Sequence, residues 1–381
     1  MSARGRVVAA LALAAGLGGA VGASASDRPL AGCSNRVGSR TPLPARDPST
    51  LTGKQVFVRH CARCHTTSGS GLPATHPLLA RFEAPPADFT DPLFNSMEPA
   101  GDWALVVKHG GASMGLSPQM PAHGGRMDDR EIEAVVAHLA SFADTTGYPP
   151  GELNFTRSVR TIKAFPETEL LLLGRYEEAE GDRPGAWRST LYHARRLGRR
   201  WQGEAKLSHL RQGTESEIHE AELGLKWAFQ ERGSSLLLAA GTDVEIPLRA
   251  GGDTTVVPYV SHAAPLGGRF TMQGTLRAHL PAGGLGEGDL ELSEVVHWLP
   301  TDWPRGVFPG LEATVAAPFR SEGRWRASLI PQLHLALSKR GHVALNVAVE
   351  LPLAGARADR RHRLHTFLLW DMADGGFWEG W

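Results

Sequence analysis

Residues Cys61-Ala62-Arg63-Cys64-His65 set two thiols three positions apart and place an imidazole directly after the second. Few chemistries use that spacing. Two thiols so placed can each add to a vinyl group of one porphyrin, and the adjoining imidazole is then held against its iron, the pattern of c-type haem attachment. The competing readings find less support in the same sequence. A structural zinc site needs about four ligands, usually two cysteine pairs or a cysteine pair with a histidine pair. The chain has three cysteines, and the third, Cys33, lies far upstream in a polar stretch. A thioredoxin-type pair needs a βαβ setting, which the flanking residues do not show. A disulfide between Cys61 and Cys64 leaves His65 without a role.

At 381 residues the chain has room for about two domains. Lys plus Arg equals Asp plus Glu at 40 each, so the basic stripe of a nucleic-acid binder is not expected. With almost no cysteine outside the motif, disulfides do not hold the fold together. The first residues read as an export signal: Arg4 and Arg6, then apolar Val7 to Leu17, then Ala23-Ser24-Ala25 as a cleavage site. A second reading makes Leu30-Ala31-Gly32-Cys33 a lipoprotein box with Cys33 acylated. Asp27, Arg28 and Pro29 separate it from the apolar run, which favours cleavage after Ala25. Either way the chain is exported. Residues 1–25 are then a signal peptide and 26–48 a linker.

Helical signals fill the next hundred residues. Ser49 or Thr50 is a candidate cap for a helix leading through Gly53 to Arg59 into the cysteine motif. Residues 66–76 form a Gly/Ser/Pro loop, and Ala84 to Pro99 is proline-rich and irregular. Asp102 is placed to cap a short helix carrying Trp103, Val106 and Val107, ended by Gly110-Gly111. Asp128 with Glu131 has capping-box spacing. Ile132, Val135, Val136 and Leu139 then give one apolar face at helical period, to about Phe142.

These residues, 49–147, resemble a class I c-type cytochrome. The likeness rests on the helix entering Cys61-Ala62-Arg63-Cys64-His65, on Lys108-His109-Gly110-Gly111, on Met120-Pro121-Ala122-His123-Gly124-Gly125, and on the closing helix from Asp128. It implies an all-α domain whose first and last helices cross near one covalently bound haem c, attached through Cys61 and Cys64. It also implies His65 as proximal and Met120 as distal iron ligand. Met114, His109 and His123 are the alternatives for the distal position. A His/Met pair favours iron(II) and closes both axial positions, so electron transfer is expected rather than bond-making catalysis. The Gly71-Leu72-Pro73 loop is the expected source of a carbonyl that orients His65.

Past Tyr148-Pro149-Pro150-Gly151 the period changes to two. Val343, Leu345, Val347, Val349 and Leu351 share one face, as do Ala221, Leu223, Leu225, Trp227 and Phe229. About twelve such segments, separated by Gly-, Pro- or Arg-containing turns, indicate an all-β antiparallel barrel over 167–381, after a 148–166 linker. Nine of the ten Trp follow residue 150, several near expected strand ends, and the last residue is Trp381. Aromatics there, with Arg277, His279, Asn346 and Glu350 on the opposite faces, suit an outer-membrane barrel with a wet lumen. The alternative is a soluble β-sandwich. The expectation is an exported one-haem electron carrier at the periplasmic or outer-membrane level, served by redox proteins or small electron carriers. Two other classes stay open: a haem-dependent oxidoreductase whose β domain binds substrate, and a transport or sensing barrel with a redox plug.

Overall fold

The structure is a computed structural model that describes residues 51–372, apart from 180, 183, 232, 250, 321–324 and 354–361. The expected signal peptide, the 26–48 linker, Cys33, the Ser49 or Thr50 cap and Trp381 lie outside these residues. A helical unit comes first: α1 (Gly53–His60), α2 (Ala62–His65), α3 (Pro92–Met97), α4 (Ala100–His109) and α5 (Asp129–Ala140). Twelve strands follow, from β1 (Glu169–Glu177) to β12 (Arg363–Asp371).

Local chemistry explains the helix ends. Thr52 caps α1 and forms a capping box with Gln55, and Asp128 and Glu131 form the expected box on α5. The proline-rich stretch holds a helix that periodicity does not show. Asp91 accepts from the Leu93 amide, and Pro92 takes the first helical position of α3. Helix α4 starts before Asp102, which is a buried first-turn residue rather than a cap. Its first amide, on Ala100, is satisfied by Glu152 Oε1 at 3.3 Å, from fifty-two positions along the chain.

Helices α1 and α5 cross face to face. Gly53 sits at the crossing, where any Cβ would fall 2.0 Å from the Ala134 carbonyl oxygen. Below it Val56, Phe57, Ile132, Val135, Val136 and Leu139 form an apolar core. This unit is built as water demands, apolar inside.

The strands form one closed antiparallel barrel, each paired with its sequence neighbours, and β1 pairs with β12. That closure rules out the sandwich, which has free sheet edges. Polarity is reversed relative to the helical unit. Leu172, Leu191, Leu223, Leu225, Val347 and Leu368 are exposed on the outer face. Gln202, Lys226, Ser293, His297, Glu312 and Asn346 are sealed inside. An outer wall of leucine and valine around a charged interior is stable only where the outside is hydrocarbon. Strands of 9–17 residues are long enough to cross it. Exposed Trp201 and Trp227 stack at 5.7 Å near one rim. Tyr176 and Trp187 pair near the other at 6.4 Å, so aromatics mark both ends. Two of the four tyrosines, Tyr192 and Tyr259, are buried inside.

Both ends of the barrel meet at the first rim, where the Met372 amide donates to Thr168 O at 2.9 Å. The 148–166 stretch, expected as a linker, enters the lumen there as a finger. Phe155 and Phe165 pack on Ala228, Leu237, Ala239 and Ala263 of the inner wall. Wall side chains satisfy the finger's backbone: Gln273 Nε2 donates to Thr156 O at 2.7 Å, the Ile162 amide donates to Thr275 Oγ1 at 2.8 Å, and Lys226 Nζ donates to Lys163 O at 2.8 Å. Irregular backbone at membrane depth needs such partners. At the tip Thr161 gives its amide and hydroxyl to Glu312, each at 2.6 Å. Arg160 and Arg277 grip Glu291 at 2.7 and 2.6 Å. Charged residues spaced along separate strands give periodicity no way to show this pairing.

Candidate functional site

The cysteine motif sits where α1 breaks into α2. Cys61 ends the first helix and opens the second. The Cys64 and His65 amides both donate to Cys61 O, at 3.1 and 3.0 Å, so the motif is one helical turn. Two residues three apart on such a turn share a face. After His65 the chain turns sharply at Thr66, whose φ of 59° and ψ of 167° place a β-branched residue where glycine is the usual occupant.

Cys61 is buried, Cys64 is half-buried, and they are free thiols. Burial, and then the neighbouring Cys64, push the Cys61 thiol up to about 11. His65 Nδ1 lies 3.2 Å from Ala87 O. Donation to that carbonyl puts the proton on Nδ1 and leaves the Nε2 lone pair free for a metal. Burial lowers the imidazole's pKa, opposed by this hydrogen bond, so the ring is neutral as a ligand must be. The ring also packs on Phe89 at 4.8 Å, with Trp103 behind Phe89 at 5.6 Å.

The orienting carbonyl therefore comes from Ala87, not from the Gly71-Leu72-Pro73 loop. That loop turns its amide to the motif instead: Gly71 N donates to His65 O at 3.2 Å. Gly71, at φ +71°, lies so close to Pro86 that a Cβ would meet the Pro86 carbonyl at 2.8 Å. The loop thus supports the Pro85-Pro86-Ala87 segment that carries the bond. Proline pairs favour extended backbone, but that signal does not say which carbonyl it offers.

Gly110-Gly111, at the end of α4, receives the Met120 loop. The Gly111 amide donates to Met120 O at 3.0 Å. A Cβ on Gly110 would lie 2.9 Å from the Ala122 amide nitrogen, and one on Gly111 would lie 2.3 Å from Ser117 O. Only glycines allow that approach. The Met120 side chain is half-exposed, whereas Met114 is packed to 2% exposure. His109 is turned away, its ring 5.0 Å from Trp303 of the barrel. His123 is buried beside His60, ring centres 5.9 Å apart, with its Nδ1 unpartnered among the described residues. Burial, then His60 and Arg126, lower its pKa.

Two thiols on one helical turn, an imidazole with its tautomer set, and a thioether on a loop seated by glycines make a donor set that suits a c-type haem. The site adjoins the barrel rim. Lys339 Nζ donates to Ala112 O at 2.8 Å, and His342 Nε2 lies 3.4 Å from Glu98 Oε1. Burial alone would lower the His342 pKa, but Glu98 and then Asp371 outweigh it, against Arg340, and push it up to about 9. No sequence pattern announces these contacts between distant segments.

Residues 51–143 match the cytochrome c family model. No curated protein matches the sequence. Among solved structures, the KdgM porin aligns at a TM-score of 0.40 with 10% identity, over 53% of this chain and 98% of that one. An outer membrane channel from Pseudomonas putida F1 gives 0.42 and 10%, over 56% and 99%. The outer membrane phospholipase A from Escherichia coli gives 0.34 and 15%, over 57% and 95%.

Proposed function

We propose that this chain, with a cytochrome c domain at residues 51–143 and a membrane barrel behind it, carries single electrons at the periplasmic face of the outer membrane. Its one haem c would be held by Cys61, Cys64, His65 and Met120. The observation that carries this reading is the committed His65 ring, on a domain tied to the barrel rim that also holds both barrel ends. Chain ends and short turns mark the periplasmic side of such barrels. The turns at this rim, 197–200 and 268–269 among them, are short.

When bound, the haem supplies a reversible iron(III)/iron(II) couple, and thioether ligation raises its potential. The chain does the rest. Cys61 and Cys64 anchor, Ala87 fixes the His65 tautomer, and Gly110-Gly111 seat the Met120 loop. Phe89 and Trp103 wall off water. With His65 and Met120 both holding the iron, no open position would remain for a substrate, and the role would be that of a carrier rather than an enzyme. One haem does not bridge a hydrocarbon core of about 30 Å. The barrel is then an anchor, and the partners are redox proteins or small carriers in the periplasm. Residues 1–25 are read as the export signal, and the domain limits as 49–147 and 167–381.

The test is protein made in a host with haem-ligation machinery. It should show a covalent, acid-acetone-resistant haem at one per chain. Met120→Ala should abolish the low-spin His/Met spectrum while Met114→Ala keeps it; the reverse result reassigns the ligand. Colourless protein sinks the proposal. Protease added to intact cells should spare the haem domain until the outer membrane is permeabilised.

A further inference from the structure

The finger enters the lumen from the rim next to the haem domain and turns back at Arg160 and Thr161, where Arg160 reaches Glu291 of the wall. Beyond its tip, toward the opposite rim, lies a cavity of about 150 Å³ lined by Arg160, Arg175, Arg188, Thr190 and His365 among others. Its basic side chains are not scattered. Arg175 on β1 is directly opposite Arg188 on β2 (Ala186–Arg196), and directly opposite His365 on β12. All three point inward. Directly opposed residues have Cα atoms about 5 Å apart, and the like charges of Arg175 and Arg188, so placed, destabilise a sheet.

Internal carboxylates offset this only in part. Glu177 holds Arg175 at 2.6 Å and Glu291 holds Arg160 at 2.7 Å, but Glu220 stands 3.6 Å from Arg188. Glu350 is bound to His365 at 2.9 Å. Among the described residues, Nε of both Arg175 and Arg188 is buried without a hydrogen-bond partner. A guanidinium recognises an oxyanion through two parallel N–H groups, one of them commonly Nε–H. The two facing arginines that carry these unused donors both line one cavity.

We propose that this vestibule is a binding site for a small oxyanion, a carboxylate or a phosphate, that enters from the rim opposite the haem domain. Arg175 and Arg188 clamp the anion, and Arg160 at the finger tip forms the floor beneath it. The bound anion replaces repulsion between two cations with charge-assisted hydrogen bonds. This site does not rest on the haem reading.

The test is calorimetric titration of the full-length, haem-loaded protein in detergent at low ionic strength, with inorganic phosphate, malonate and, as a screening control, chloride. Saturable binding of one phosphate or malonate per chain is expected, and whichever binds identifies the source. Arg175→Gln and Arg188→Gln should each weaken it at least tenfold. Glu177→Gln, which releases Arg175 from its internal partner, should tighten it severalfold. No saturable binding, or affinity in both arginine variants equal to that of the parent, overturns the proposal. If an arginine variant fails to assemble as a barrel, Glu177→Gln decides alone: affinity no greater than that of the parent refutes the clamp.

Discussion

The helical unit and the barrel solve opposite problems with the same amino acids. In the first, Val56 and Val136 are fully buried and, Asp102 apart, charge stays at the surface. In the second, Leu223 is 58% exposed while Lys226, three residues on, is 1% exposed. Side-chain hydropathy therefore does not say what is inside; the surrounding medium does. The comparison also explains why buried charges are common in one unit and rare in the other. A hydrocarbon exterior sends polar side chains to the lumen, and there they hold the finger by ion pairs and hydrogen bonds.

The largest effect that separates the units is loss of the cofactor. The double variant Cys61→Ala, Cys64→Ala should lose all covalent haem absorbance, yet its barrel should still show heat-modifiable gel mobility. A barrel that fails to assemble would mean that the two units fold as one. Next, arginine tests the medium directly. At Leu223, mid-strand on the outer face, Leu→Arg should cost about 2–4 kcal/mol, as a charge facing lipid does. Val58 is also exposed, at 52%, but on α1, and Val58→Arg should stay within about 0.5 kcal/mol. Equal costs in denaturant titrations would break the contrast.

The junction between the units should respond to pH. The His342 pKa is raised from its ordinary value of 6.5 to about 9, so its contribution is complete below pH 6.5 and fades as pH passes 9. That shift corresponds to on the order of 3 kcal/mol. Proteolysis between the units should accelerate in alkali, and His342→Gln should remove the dependence. A flat profile in the parent protein would contradict the assignment. The smallest effect is local: Gly53→Ala, which forces a Cβ against Ala134, should lower haem-domain stability by about 1–3 kcal/mol. An unchanged melting temperature would show that α1 and α5 can move apart freely.

Much of this was legible in the residues. Cys61, Cys64 and His65 mark the site by spacing alone, the Asp128 box marks α5, and alternation marks the strands. Other features hide for physical reasons. Glu152 caps α4, Ala87 orients His65, and Glu312 grips Thr161 across long stretches of chain. Such partners are chosen by the fold, and no local period reports them. The finger was hidden because its phenylalanines and arginines, without regular spacing, look like any connection. Alternation likewise gives the two faces of a strand but not which one meets water. Closure of β1 on β12 supplied that answer.

The finger has both its ends at one mouth of the barrel, so nothing is threaded. It can be withdrawn the way it came, with all twelve strand pairings intact. In chain topology the lumen has a removable stopper, and the handle of that stopper is the haem domain.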